Sequence, residues 1–246
     1  MIYKNEFGII FYIWRMKKYR FLFFDLDRTL WDYEKNSSEA ISMLFEKFAL
    51  NKFSIDADDF NQKFTRYNDQ LWEEYRQGRL HKDILRTLRF ELCLKDYGID
   101  NQELASELNK DYLDITPKLT GLISGANELM EYLAAKKYLM YIITNGFWTV
   151  QTQKLQYSGL NKYFTRMFTS EQVASNKPHR RIFEYAIKSV NAIKKQSLMI
   201  GDDLYVDVIG AQNFGIDQVY FNPTREAHTE KVTYEIQYLT DLMKIL

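Results

Sequence analysis

Tyr19-Arg20-Phe21-Leu22-Phe23-Phe24-Asp25-Leu26-Asp27-Arg28-Thr29-Leu30-Trp31-Asp32 runs an apolar segment, Phe21 to Phe24, into two acids one residue apart. A short apolar run before a polar turn reads as a buried strand. Asp25 and Asp27 then sit just past the carboxyl end of a central strand, the edge at which open α/β sheets bind ligands. Two carboxylates this close repel unless a cation or a shared proton intervenes. Mg²⁺ suits such a place, since it takes one or two carboxylates together with phosphate oxygens. A solvated turn would carry the same pair, so the stretches further along the chain decide between the two.

The 246 residues suffice for one large domain or two lobes. Lys+Arg and Asp+Glu both number 33, and the resulting net charge of +0 offers no argument for a nucleic-acid polymer or a membrane surface as partner. The 18 Tyr and 17 Phe are read as an aromatic-rich core rather than a stacking platform. A single cysteine, Cys93, excludes an intrachain disulfide and fits a reducing compartment, the cytoplasm. Its apolar helical surroundings mark it as core filling, not as a nucleophile. No run reaches the roughly 18 apolar residues of a membrane helix. The apolar run Phe7 to Trp14 lacks a small-residue cleavage site, which argues against a signal peptide. Met16-Lys17-Lys18 looks like a natural start, so residues 1–15 read either as upstream translation or as an extra strand or arm. His81, His179 and His228 share no ligand spacing, and no transition-metal site is assigned.

Past the acid pair, Asn36 with Glu39 three residues on resembles a capping box, and Ile41, Leu44, Phe45 and Phe48 follow at helical spacing. Helices are expected over 56–77, with Phe60, Phe64, Tyr67, Leu71 and Tyr75 on one stripe, over 81–97, and over 101–115. From Gly125 strands and helices alternate: helix 126–137, strand 138–143, helix 148–158, a short strand at 167–168, helix 178–190 opened by Pro178, strand 197–200, helix 206–214 and strand 218–221. An edge strand and a short helix close the chain from Thr233. Such alternation implies a doubly wound, mostly parallel sheet. The expected division is an α/β core domain of residues 1–32 and 116–246 and an inserted all-helical cap domain of residues 33–115, hinged beside the acids and able to exclude water.

In a parallel sheet all carboxyl ends face one edge, so Asp25 and Asp27, Thr144-Asn145, Lys177, and Asp202 and Asp207 can converge. Acids bind a hard cation, a hydroxyl and backbone N–H groups bind phosphoryl oxygens, and a lysine adds fixed positive charge. Taken singly, each of these residues has a bland alternative: a strand-end hydroxyl, a surface lysine, an acid favoured by a helix dipole. Their joint order is what carries weight.

That order, Asp25-x-Asp27-x-Thr29, Thr144, Lys177-Pro178, Gly201-Asp202-x₄-Asp207, resembles the four motifs of the haloacid dehalogenase-like (HAD) hydrolase superfamily over residues 19 to about 222. Further stretches look like its YjjG/YfnB-type 5'-nucleotidase branch: Asn68-x₃-Trp72-Glu73-x-Tyr75-x₂-Gly78, Arg89-Phe90, Thr144-Asn145-Gly146, Gln153-x-Leu155-x₂-Ser158-Gly159-Leu160, Ser170-Glu171 and Lys177-Pro178-x₃-Ile182-Phe183. Arg28 departs from the usual Asp or Gly, and Ala174-Ser175-Asn176 from a glycine-containing loop. The resemblance implies a Mg²⁺-dependent phosphomonoesterase acting on small phosphorylated metabolites, nucleoside monophosphates and often pyrimidine nucleotides. Asp25 would be the nucleophile and Asp27 the general acid and base. Mg²⁺ would be held by Asp25, the Asp27 carbonyl and Asp202, with Asp207 or Asp203 in support. Thr144 and the N–H groups of Leu26, Asp27 and Asn145 would bind phosphoryl oxygens, and Lys177 would pair with Asp25. Asn68, Trp72, Arg79 and Arg89 are the candidates for substrate contact, with Trp72 able to stack a base. Sugar phosphates are the alternative substrates; a carbon–halogen hydrolase or a non-catalytic phosphate binder are the competing classes.

Overall fold

The computed structural model describes residues 18–246 and, before them, the backbone of two short strands, β1 (Ile2–Lys4) and β2 (Ile10–Tyr12). These two pair antiparallel, so a strand pair stands where the sequence left an extra strand or arm open. Met16 and the proposed start lie outside the described residues.

β3 (Phe21–Phe24) is buried at every position. Its side chains alternate between two apolar clusters: Leu22 and Phe24 join one, Phe21 and Phe23 the other. A strand covered on both faces has no polar side to show, which is why the run is uninterrupted. β3 lies between β4 (Leu139–Thr144) and β6 (Ser197–Gly201). β5 (Arg166–Thr169) extends the sheet beyond β4, and β7 (Asp217–Phe221) and β8 (Tyr234–Ile236) extend it beyond β6. The order is β5-β4-β3-β6-β7-β8, parallel throughout. From β3 the chain winds first towards β4 and later towards β6, so the reversal of winding falls at Asp25 and opens a crevice there.

Between β3 and β4 the chain inserts α1 (Tyr33–Lys47), α2 (Ala57–Arg76), α3 (Lys82–Lys95) and α4 (Gln102–Ile115) before α5 (Ala126–Ala135) returns to the sheet. These four build an apolar cluster of their own, in which Phe64 lies 4.9 Å from both Phe90 and Tyr112 between ring centres. Cys93 is buried in that cluster. The expected helices are all present.

Three local readings are corrected. α1 starts at Tyr33, capped by the Asp32 carboxylate accepting from Lys35 N–H, and not at Asn36. Asn36 is fully buried instead: its amide donates to Gly121 O and accepts from Gly121 N–H, tying the first inserted helix to the return strap. Pro178 is not the first residue of a helix; the helix Arg180–Ser189 begins two residues later, after a cis Lys177–Pro178 bond. The helix expected over 206–214 is a wide π-helical turn, Leu204–Ile209, running into a short helix, Gly210–Phe214. The Asp203 side chain accepts from Tyr205 and Val206 N–H, starting the turn earlier than periodicity suggested.

Candidate active site

The loops at the carboxyl ends of β3, β4 and β6 and the inner face of the inserted helices enclose a cavity of about 160 Å³. Of the residues singled out in the sequence, Asp25, Asp27, Thr144, Asn145, Lys177, Asp202, Asp207, Asn68, Trp72 and Arg89 line it. Arg79 does not: its guanidinium is closed on Glu74 at the exposed end of α2. Leu26 turns its side chain fully into the core, which leaves its backbone to meet a ligand.

One carboxylate oxygen from each of Asp25, Asp202 and Asp207 lies within 4.8 Å of the others. Lys177, 2% exposed, sets its Nζ 2.5 Å from Asp25 Oδ1 and 2.6 Å from Asp207 Oδ1, the second an ion-pair contact outside hydrogen-bond alignment. Burial works against the Lys177 charge, but Asp207 and Asp25 overcome it and hold its pKa above the ordinary lysine range. The acids feel the opposite pressure. Burial pushes Asp25 up despite Lys177, and Asp27 adds to the rise. Asp202 is pushed well above the carboxylate range by enclosure and by the Asp25 and Asp207 charges; the Thr29 hydroxyl, donating at 2.7 Å, is its hydrogen-bond partner. Burial pushes Asp207 up to about 7. Three acids against one ammonium leave uncompensated negative charge among hard oxygen donors. That donor set fits a divalent cation such as Mg²⁺. Gly201 allows the approach, because a Cβ there would overlap the Asp207 carboxylate. Asp203 accepts from the turn that follows it, whereas Asp207 faces Lys177 and joins the acid cluster.

The β4 end is arranged around Lys177 and Asp27. The Asn145 side chain clamps the Lys177 backbone, accepting from its N–H at 2.7 Å and donating to its carbonyl at 3.1 Å. The amide therefore positions Lys177, and only the Asn145 N–H remains for a ligand. Thr144 Oγ1 accepts from Gly146 N–H at 3.0 Å and from Gln151 Nε2 at 2.8 Å. With both lone pairs occupied, its hydrogen is left to donate into the cavity.

Two residues escaped sequence reading. Gln151 and Lys154 on α6 (Trp148–Tyr157) grip the two oxygens of Asp27, Gln151 Nε2 at 2.9 Å and Lys154 Nζ at 2.5 Å. Lys154 is 5% exposed. The available signal was spacing: Gln151, Lys154 and Leu155 fall at i, i+3 and i+4, on the buried stripe of α6. Arg28 sits in the left-handed region, φ 65°, and spans the crevice mouth to Glu34 and to Asp69 of α2. On the other side Lys82 of α3 pairs with Glu171 at 2.8 Å, and Trp72 packs on Phe147 with 5.4 Å between ring centres.

Residues 22–221 match the sequence profile of the haloacid dehalogenase-like hydrolases. Pyrimidine 5'-nucleotidase PynA of Streptococcus pneumoniae is 32% identical over 93% of this chain and 95% of its own. A glyceraldehyde 3-phosphate phosphatase of Pyrococcus furiosus is 29% identical over 94% of each chain. The crystal structure of the HAD-hydrolase YfnB of Bacillus subtilis, bound to magnesium, superposes with a TM-score of 0.84 at 30% identity, covering 93% of this chain and 99% of that one. With the motif residues gathered at one sheet edge, the chain belongs to the haloacid dehalogenase-like hydrolase family.

Proposed function

We propose that this protein is a Mg²⁺-dependent phosphomonoesterase for nucleoside 5'-monophosphates, pyrimidine nucleotides first, working through an aspartyl-phosphate. The observation that carries the reading is the set of Asp25, Asp202 and Asp207 around Lys177, with a second acid, Asp27, facing the same cavity. Asp25 attacks phosphorus; its O–P bond forms as the bond from phosphorus to the ester oxygen breaks. Asp27 gives its proton to the departing alkoxide. It then takes a proton from water, which attacks phosphorus, releases inorganic phosphate and restores Asp25. Thr144 and the N–H groups of Leu26, Asp27 and Asn145 hold phosphoryl oxygens, and Lys177 offsets the charge beside Asp25. Bound by the Asp25 carboxylate, the Asp27 carbonyl and Asp202, Mg²⁺ would supply the charge neutralisation that lets an anionic nucleophile meet a phosphate.

A lobe of residues 33–115 closes over this edge and selects the remainder of the substrate. The names of PynA and of the YfnB structure support a nucleotide and magnesium respectively. The phosphatase from Pyrococcus supports a second reading, in which a sugar phosphate fills the same place. A haloacid dehalogenase needs neither a metal nor a second acid, so Asp27 and the acid cluster argue against it.

Phosphate release from dUMP, dTMP, UMP, AMP, GMP, sugar phosphates and pyrophosphate, with Mg²⁺ and with EDTA, tests the proposal. Mg²⁺-dependent release strongest on pyrimidine monophosphates supports it. Release strongest on a sugar phosphate keeps the chemistry and discards the nucleotide. Absence of release from every compound refutes both.

A further inference from the structure

Arg89 on α3 is 4% exposed, lines the cavity, and makes no ion pair with a carboxylate among the described residues. Its guanidinium donates to Arg86 O at 3.2 Å, to Asn68 Oδ1 at 3.0 Å and to Asn109 Oδ1 at 3.3 Å, and lies 4.5 Å from the centre of the Tyr112 ring. A guanidinium has about five N–H donors. Three are engaged by neutral oxygens, so donors remain while the plane is held by two amides and a ring. One turn earlier, Arg86 also lines the cavity; its Nε is buried with no hydrogen bond, its guanidinium lies 4.5 Å from the centre of the Phe147 ring, and its one acid contact is a long one, 3.9 Å from Nη1 to the exposed Asp83 carboxylate. Arg76 differs, since Glu73 takes its guanidinium. At Arg89 the inner wall of the inserted helices therefore presents fixed donors and positive charge without an acid, with Arg86 only loosely paired beside it, opposite an edge crowded with acids. Burying such a group without a partner is costly, so its partner should arrive with the substrate.

We propose that Arg89, supported by Arg86, reads the end of the substrate remote from the phosphoryl group by donating to a carbonyl oxygen of a pyrimidine base. The proposal rests on the nucleotide reading above and adds the residue that enforces it. Neutral amides and aromatic faces already temper the Arg89 charge, which suits a polarised carbonyl as acceptor. Uracil, thymine and cytosine all carry the C2 carbonyl; adenine has no exocyclic oxygen. Losing a buried acceptor leaves the guanidinium donors unmatched, the situation in which an enzyme discriminates most strongly between near-isosteric ligands.

The test compares dUMP with ribose 5-phosphate, which keeps the phosphoryl ester and lacks the base, on the wild type, Arg89→Lys and Arg86→Met. Arg89→Lys keeps the charge and loses the fork. The expected result is a fall in kcat/KM of about 10- to 100-fold for dUMP, with ribose 5-phosphate changed less than about twofold. Arg86→Met touches no inter-helix bond of Arg89 and should fall in the same direction by a smaller factor, which covers a failure of Arg89→Lys to fold. Equal losses on both substrates, in a variant with an unchanged melting curve, would reduce Arg89 to a structural tie and overturn the inference. So would unchanged dUMP turnover in both variants. A wild type that never prefers dUMP to ribose 5-phosphate would instead remove the nucleotide reading, and the inference with it.

Discussion

Lys154 Nζ stands 2.5 Å from Asp27 Oδ1, and the same ammonium lies 4.1 Å from the centre of the Trp31 ring. The second acid of the motif is thus held from α6, not from its own loop. A proton-transfer group works only when aimed, and Gln151 fixes the other oxygen. Lys154→Met should lower kcat by about 10- to 100-fold with a smaller change in KM, whereas Asp27→Asn should cost about 10²- to 10⁴-fold. Steady-state kinetics of the two variants checks this, and an intact kcat in Lys154→Met would show that Asp27 needs no holding.

In the proposed mechanism Asp202 serves activity at the expense of the metal-free fold. Enclosed with Asp25 and Asp207, its charge is unfavourable until a cation is present. Asp202→Asn should raise the melting temperature in EDTA, by about 2–4 °C, and abolish the further rise that Mg²⁺ gives the wild type. Differential scanning fluorimetry with and without Mg²⁺ reads both effects.

The same crowding sets a pH dependence. Asp207 has its pKa pushed from 3.8 up to about 7 by burial, so the folded chain binds this proton more tightly than the unfolded chain. The stability this group contributes is complete below about pH 4 and is lost as pH rises to about 7. In EDTA the stability contributed at this site should fall across that window, and Mg²⁺, which competes with the proton, should stabilise more at pH 8 than at pH 5. Urea titrations at several pH values, wild type against Asp207→Asn, isolate the contribution; identical slopes would count against it.

Gly201→Ala is a small change with a directed effect. Its methyl would overlap the Asp207 carboxylate, and the neighbouring Lys177 would have to follow. Turnover should fall by about tenfold or more through misplacement of groups that must be held to a fraction of an ångström. The secondary structure seen by circular dichroism should stay unchanged.

Cys93 is fully buried among the inserted helices, and burial pushes its thiol up to about 12. The thiolate is the reactive form. Alkylation by iodoacetamide at pH 8 should be negligible in the native protein and rapid in urea; native labelling would mean that the inserted helices open readily.

Phe21 to Phe24 revealed the central strand because a doubly covered strand leaves no room for polar residues. The motif acids and Lys177 were legible because parallel topology brings strand ends together whatever the loops do. What sequence could not show was the partner of each group. The Asn145 amide gives no sign in the sequence that it clamps Lys177, and Arg79 reads as a cavity cation until Glu74 takes it. Lys154 sits where a helix period calls for an apolar residue, and only the position of Trp31 and Asp27 explains it. Asn36 reads as a cap because its acceptor and donor, Gly121, lies 85 residues away.

The inserted helices close on Phe60, Phe64, Phe90 and Tyr112, a cluster separate from the two that sandwich the sheet. The two walls of the cavity are therefore anchored in different reserves of stability. Drift in the helices that alters Arg86, Arg89 or their neighbours leaves the scaffold under the acids untouched. A lineage built this way can exchange one substrate for another without passing through an inert ancestor. Combinatorial libraries confined to residues 68–116 should yield new preferences from the same hydrolytic engine.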